Sequence, residues 1–292
     1  MKINAGIISF HESESYGAIL QCYALQKTIM MNGFTCEFID FNRHINTSNK
    51  KRNAKQTFIA AILMVNKIIN YQNIKAVKKG FDSFMEDYLN IGKQRFESEQ
   101  ELINNPPIYD AYITGSDQVW NPNNPNLKAY GLTFAPEKSN TIAYAASIGL
   151  AKIPENKKSY MFENLKNIRC LSCREKVGAK ELEMLLKRPV KHVLDPTLML
   201  NQEQWSELAA EIKVKTPYLL CFFLGSMSYE RKLAKAIAKK LGLNVIMICG
   251  SPADTFSTIH KVKGCTPQNF IWLFKNASFI CTDSFHGTSF AI

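Results

Sequence analysis

His286 stands between an apolar run, Ala277 to Cys281, and a small-residue stretch that resumes at Gly287, so it falls where a strand gives way through a loop to a new helix. An imidazole exchanges protons readily, and the free N–H groups and positive dipole end of a helix start favour a phosphate or carboxylate beside it. Ser284, Gly287 and Thr288 around it are ligand-binding candidates. A second segment, Gly115 to Asn121 (GSDQVWN), follows the strand-like YDAYIT. Asp117 there could serve as a base and Trp120 offers a flat apolar face of the kind that packs on sugar rings, with Ser116 and Gln118 as polar neighbours. The same residues also fit a plainer role, Asp117 capping a turn and Trp120 filling core. In a third segment, Ser172 to Glu175, Arg174 at a strand end can grip a carboxylate or phosphate with two N–H groups, or be neutralised by Glu175 or another acid. A fourth, Ser13 to Gln21 (SESYGAILQ), puts Tyr16 and Gly17 at the start of a helix; its single glycine is not a dinucleotide fingerprint.

No H-E-x-x-H, G-x-S-x-G or P-loop occurs in the chain, which disfavours metal, serine and nucleotide hydrolysis. One histidine, one arginine and one aspartate at strand ends point to group transfer from an anionic donor, with no cofactor and no metal.

The elements that must carry these residues read as alternating strands and helices. Ile3–Phe10, Ala18–Met31 and Thr35–Phe41 predict a βαβ opening, and Phe81–Leu89 reads as a helix. Strands follow at Tyr109–Thr114, Thr141–Ser147, Ile168–Ser172 and Val190–Leu194, with a helix at Ala179–Lys187. A second set begins with a helix at Trp205–Ile212. It continues with strands at Tyr218–Leu224, Val245–Cys249 and Ser278–Cys281, and helices at Tyr229–Leu241 and Pro267–Lys275. This pattern predicts α/β architecture with two Rossmann-like domains, 1–200 and 201–292, facing a cleft at their strand ends. The last helix is cut at Ala291–Ile292, so the second domain is expected to be incomplete at the C-terminus.

With 292 residues, 46% of them hydrophobic, the chain can bury ordinary cores. It carries no signal-peptide pattern and no run of membrane-spanning length, which predicts a cytoplasmic protein. Its eight cysteines are scattered; the one close pair, Cys170 and Cys173, has no partner pair for zinc. The net charge of +11 is concentrated: no acid lies between Asp40 and Asp82, where nine Lys and Arg residues fall. This basic insert, about 43–80, includes the apolar stretch Phe58–Ile69, which suits either peripheral contact of 50–80 with an anionic membrane face or packing on its own domain. Charge without a recognition motif gives no support for nucleic acid.

Six segments together resemble the polysaccharide pyruvyl transferase family: ISFHESESYGAILQCYALQ (Ile8–Gln26), NPPIYDAYITGSDQVWNP (Asn105–Pro122), IAYAASIG (Ile142–Gly149), LSCREK (Leu171–Lys176), DPTLML (Asp195–Leu200) and TDSFHGTSFAI (Thr282–Ile292). The resemblance spans essentially the whole chain. It implies a GT-B-like fold and transfer of a pyruvyl group from phosphoenolpyruvate to two hydroxyls of a saccharide in a cell-surface polysaccharide or its lipid-linked precursor. It also implies His286 as the acid and Arg174 as the donor-anion ligand. Ser15 stands where relatives often have Asn, and the family's chains continue past the histidine. Two other readings share the fold: a GT-B glycosyltransferase using a nucleotide sugar, and a non-catalytic protein of an envelope-polysaccharide pathway.

Overall fold

The opening apolar run forms β1 (Asn4–Ile8), buried at four of its five positions, as a strand covered on both faces must be. A computed structural model describes residues 3–42, 70–225, 228–249 and 258–292. The chain divides into two compact units, one of 1–47 and 85–200, the other of 48–84 and 201–292.

In the first unit β1 is joined by β2 (Thr35–Phe41), β3 (Ile91–Phe96), β4 (Ala111–Thr114) and β5 (Asn140–Ala143) in the order β3-β2-β1-β4-β5. All four pairings are parallel. A two-stranded ladder, β6 (Ser172–Cys173) with β7 (Lys191–His192), continues beside β5 through the bridges Ile142↔Cys170 and Ala146↔Cys173. Helix α1 (Tyr16–Met31) links β1 to β2. β3 adds outside β2, and only after β3 does the chain cross to the other side of β1 with β4 and β5, so the order reverses between β1 and β4. Open parallel sheets bind ligands at the carboxyl ends of strands at such a reversal.

The remaining helices include α2 (Tyr71–Tyr88), whose last turn belongs to the first unit, then α3 (Glu99–Asn104), α4 (Leu127–Tyr130), α5 (Glu155–Leu165) and α6 (Lys176–Leu186). The first unit's core gathers Ile8, Tyr112, Trp120, Tyr130, Leu165 and Leu182.

The second unit repeats the scheme with β8 (Tyr218–Phe223), β9 (Asn244–Cys249), β10 (His260–Lys261) and β11 (Phe279–Thr282) in the parallel order β10-β9-β8-β11. Its helices are α7 (Gln202–Ser206), α8 (Ser228–Leu241), α9 (Pro267–Lys275) and α10 (Phe285–Ala291). β8 is buried at all six positions, and Leu219, Cys221 and Phe223 pack with Ala234, Ala238 and Met247. The order again reverses, here between β8 and β11.

Three expectations are corrected. The helix read at Trp205–Ile212 is instead α7, three residues earlier, because Asn201 and Gln204 form a reciprocal capping box that fixes its start. The helix read at Phe81–Leu89 begins ten residues sooner. Residues 70–84 pack in the second unit, where Gly264 N donates to Asn73 Oδ1 at 2.6 Å, so the described end of the basic insert, 70–80, falls outside the first domain to which the sequence assigns it. The apolar stretch Phe58–Ile69 lies outside the described residues.

Candidate active site

In the second unit the segment after β11 is fixed by its own short polar side chains. Thr282 Oγ1 donates to Phe222 O at 2.6 Å and accepts from Ser284 N at 3.1 Å. Asp283 accepts from both Leu224 N and Gly225 N at 2.6 Å, tying this loop to the end of β8. Ser284 then caps α10, its hydroxyl accepting from Gly287 N at 3.2 Å. A Cβ at position 287 would fall on Thr282 Oγ1 and against the Phe222 ring, so the close approach of helix and strand requires glycine.

His286 follows from this frame. It is 8% exposed, sits in the first turn of α10, and its ring meets Phe285 edge-on at 5.1 Å. One turn later Phe290 is held among Trp205, at 4.9 Å, and Phe270, at 5.5 Å, which anchors so short a helix. Of the four candidates here, Ser284, His286 and Gly287 are buried and Thr288 is exposed, its hydroxyl turned back onto Ser284 O at 3.0 Å.

In the first unit the ends of β4, β5 and β6 converge. Isolated bridges join Asp117 to Ala146 and Ala146 to Cys173. Asp117 adopts φ 77 and Ala145 φ 54, backbone regions that side-chain-bearing residues seldom occupy and that cluster at functional sites. Arg174 lies at the centre with its side chain 4% exposed. Its Nε meets Glu175 Oε1 at 3.0 Å, Nη1 meets Asp195 Oδ2 at 3.1 Å, and Nη2 faces Asp117 Oδ1 at 3.8 Å. Burial pulls the guanidinium pKa down, but Asp117, Asp195 and Glu175 outweigh it and the net movement is upward, so Arg174 stays charged.

The polar residues around Arg174 are equally engaged. Ser116 Oγ donates to Asp195 Oδ2 at 2.7 Å, and Ser147 Oγ donates to Glu175 Oε1 at 2.5 Å. Ser9 Oγ donates to Ser116 O at 3.1 Å and accepts from Gln21 Nε2 at 3.0 Å, which carries the network back to β1 and α1.

Several sequence-derived roles change on this geometry. Trp120 is 0% exposed and its Nε1 donates to Tyr130 O at 3.0 Å, so both ring faces are covered by protein and the indole is core, not a sugar platform. Asp117 does cap a turn, accepting from Gln118 N at 2.8 Å, while its side chain keeps 18% exposure. Arg174 is not an open fork: a donor anion would have to displace a carboxylate from it. Gln118 is exposed and accepts from Asn121 Nδ2 at 3.1 Å. Tyr16 and Gly17 are buried at the start of α1.

Two groups escaped sequence reasoning. Asp195 is one, although the Asp-Pro-Thr order announces a capped turn. The other gathers at the ends of β1, β2 and β3: His11, 1% exposed, has Nε2 3.6 Å from Asp40 Oδ1 and Nδ1 3.3 Å from Ser9 O. Arg95 reaches Glu12, Asp40 at 3.0 Å and Glu97 at 2.8 Å. His11, Glu12 and Asp40 are metal-ligand types within reach of one another, but the Arg95 guanidinium already supplies their positive charge. Burial pushes the Asp40 pKa up, the His11 and Arg95 contacts pull it down further, and the net movement is down.

Parallel sheets with this strand order, and polar clusters at their carboxyl ends, define an α/β protein of the GT-B-like kind. Over its full length the chain is similar to the solved UDP-GlcNAc 2-epimerase from Methanocaldococcus jannaschii, with 14% identity and a TM-score of 0.51, covering 81% of that chain. At that identity the likeness is one of fold. The chain matches the polysaccharide pyruvyl transferase family over residues 16–292 and belongs to that family. No curated protein matches it.

Proposed function

We propose that the protein moves the pyruvyl group of phosphoenolpyruvate onto two hydroxyls of a saccharide in a cell-surface polysaccharide or its lipid-linked precursor, forming a ketal and releasing phosphate. The observation that carries this reading is His286, a buried imidazole held by a capped, glycine-dependent turn at the strand end where the sheet order reverses.

In this reading His286 protonates the methylene carbon of phosphoenolpyruvate, which leaves the adjacent carbon cationic and open to attack. One sugar hydroxyl adds there and gives up its proton; the second displaces phosphate, which departs with the other proton. Asp117, on a strained backbone at the end of β4 and partly exposed, is suited to take the hydroxyl proton. Arg174 holds Asp117 and Asp195 in place, and its loosest contact, Nη2 to Asp117 at 3.8 Å, is where a donor anion exchanges in most readily.

Thermal unfolding with phosphoenolpyruvate and, separately, with nucleotide sugars tests the donor. Phosphoenolpyruvate at a hundredfold its dissociation constant stabilises the fold by about 2.7 kcal/mol. His286→Asn keeps that response and loses roughly 10²–10⁴ in turnover, the usual share of a general acid. A response to nucleotide sugars alone supports glycosyl transfer instead, and full turnover in His286→Asn removes the catalytic assignment.

A further inference from the structure

A cavity of about 210 Å³ opens at the carboxyl ends of β1 and β2 in the first unit. Phe41 and Tyr130, 2% and 1% exposed, form its floor. Phe10, set edge-on to Tyr130 at 5.2 Å, forms a wall, and Glu12, Ser13 and Asn42 form the rim. The rim is built in advance of any ligand. Arg95 fixes Glu12 through Oε1 and also holds Asp40 and Glu97, and Glu97 accepts from Asn42 Nδ2 at 2.5 Å. That leaves Glu12 Oε2 and Asn42 Oδ1 with no protein donor among the described residues.

Acceptors on a preformed polar rim beside aromatic walls match a sugar ring, which offers hydroxyl donors at its edge and C–H groups on its faces. The volume lies below the roughly 300–1,000 Å³ of sites for drug-sized ligands, so it suits one ring. The rim's charged lining group is a carboxylate, which disfavours an anionic donor and admits a neutral polyol. We propose that this cavity binds one ring of the acceptor saccharide, with Glu12 and Asn42 taking its hydroxyls and Phe10 covering its apolar face. The inference rests on the saccharide transfer proposed above and assigns that reaction's acceptor subsite.

Saturation-transfer NMR on the whole protein, with a panel of methyl hexosides and N-acetylhexosamines, tests it in wild type, Glu12→Gln and Ser13→Trp. A hydrogen bond to a charged group is worth roughly tenfold or more in Kd. The expected result is therefore sugar binding in wild type that weakens at least about tenfold in Glu12→Gln and vanishes when the Ser13→Trp indole fills the cavity. Undiminished binding in either folded variant, or no binding by any sugar of the panel, overturns the assignment. Should Ser13→Trp fail to fold, Glu12→Gln decides alone. The phosphoenolpyruvate thermal response, measured on the same samples, separates the two claims. Its absence alongside Glu12-dependent sugar binding contradicts the donor but keeps the cavity as a saccharide site; its presence with variant-insensitive sugar binding removes only the cavity.

Discussion

Asp195 has no exposed side-chain surface, yet its two carboxylate oxygens receive Ser116 Oγ, Arg174 Nη1, Thr197 N and Thr197 Oγ1. A buried carboxylate so fully paired holds Arg174 and, through it, Asp117. Removing Asp195 leaves the buried Arg174 with only the partly exposed Glu175 and the longer 3.8 Å contact to Asp117, and leaves Ser116 and Thr197 without their acceptor. Asp195→Ala is therefore expected to lower stability by about 3–5 kcal/mol in denaturant unfolding, and an effect within error of zero contradicts this role. The candidates read from sequence were residues with free-standing chemistry: His286, Arg174 and Asp117. The neighbours that neutralise Arg174 could not be read, because Asp195 lies 21 residues away along the chain and reaches it only through the sheet. The burial of Trp120 was hidden for a similar reason, since an indole after a strand fits a ligand face and a core equally well until the covering helices are placed.

At the scale of elements, the H-G pair at 286–287 is a packing device as well as a chemical one. Thr282 Oγ1 occupies the space of a side chain at 287 while bonding Phe222 O and Ser284 N. Gly287→Ala must push Thr282 aside and move the start of α10 with it, at a cost of about 1–3 kcal/mol for overpacking. Turnover should fall by more than this stability loss explains, because His286 moves too; a variant with normal kinetics and a normal Tm contradicts that. The strongly periodic elements were legible. Thr35–Phe41 and Pro267–Lys275 match residue for residue, the second started by the Thr266–Asn269 capping box. β3 was missed because its IGKQRF run, at a sheet edge, shows no apolar alternation: Lys93, Gln94 and Arg95 are all exposed and only Phe96 is buried. α5 was missed because its ENKKSYMFENL sequence buries only Met161, Asn164 and Leu165.

For the molecule as a whole, the parallel α/β class and the family were both legible, since apolar strand runs and the motifs at their ends are local in sequence. The grouping of residues 70–84 with the second unit was not, because contacts such as Gly264 with Asn73 bridge nearly two hundred positions. No described helix is long and apolar enough to cross a membrane. Global stability should be acid-sensitive through Asp40. Its folded pKa lies below the ordinary value of about 3.9, so its stabilising contribution is complete above that value and is lost as pH falls through the folded one. Asp40→Asn should flatten this part of the unfolding profile, and an unchanged acid limb contradicts the assignment. The central claim is that the methylene carbon of phosphoenolpyruvate takes a proton as the pyruvyl group is transferred. The most direct measurement is turnover in D₂O with phosphoenolpyruvate and the hexoside and hexosamine panel, read by NMR and mass spectrometry. The account predicts one deuterium in the ketal methyl group and one phosphate released per ketal formed. Intact phosphoenolpyruvate, together with nucleotide release from a nucleotide sugar under the same conditions, would contradict it.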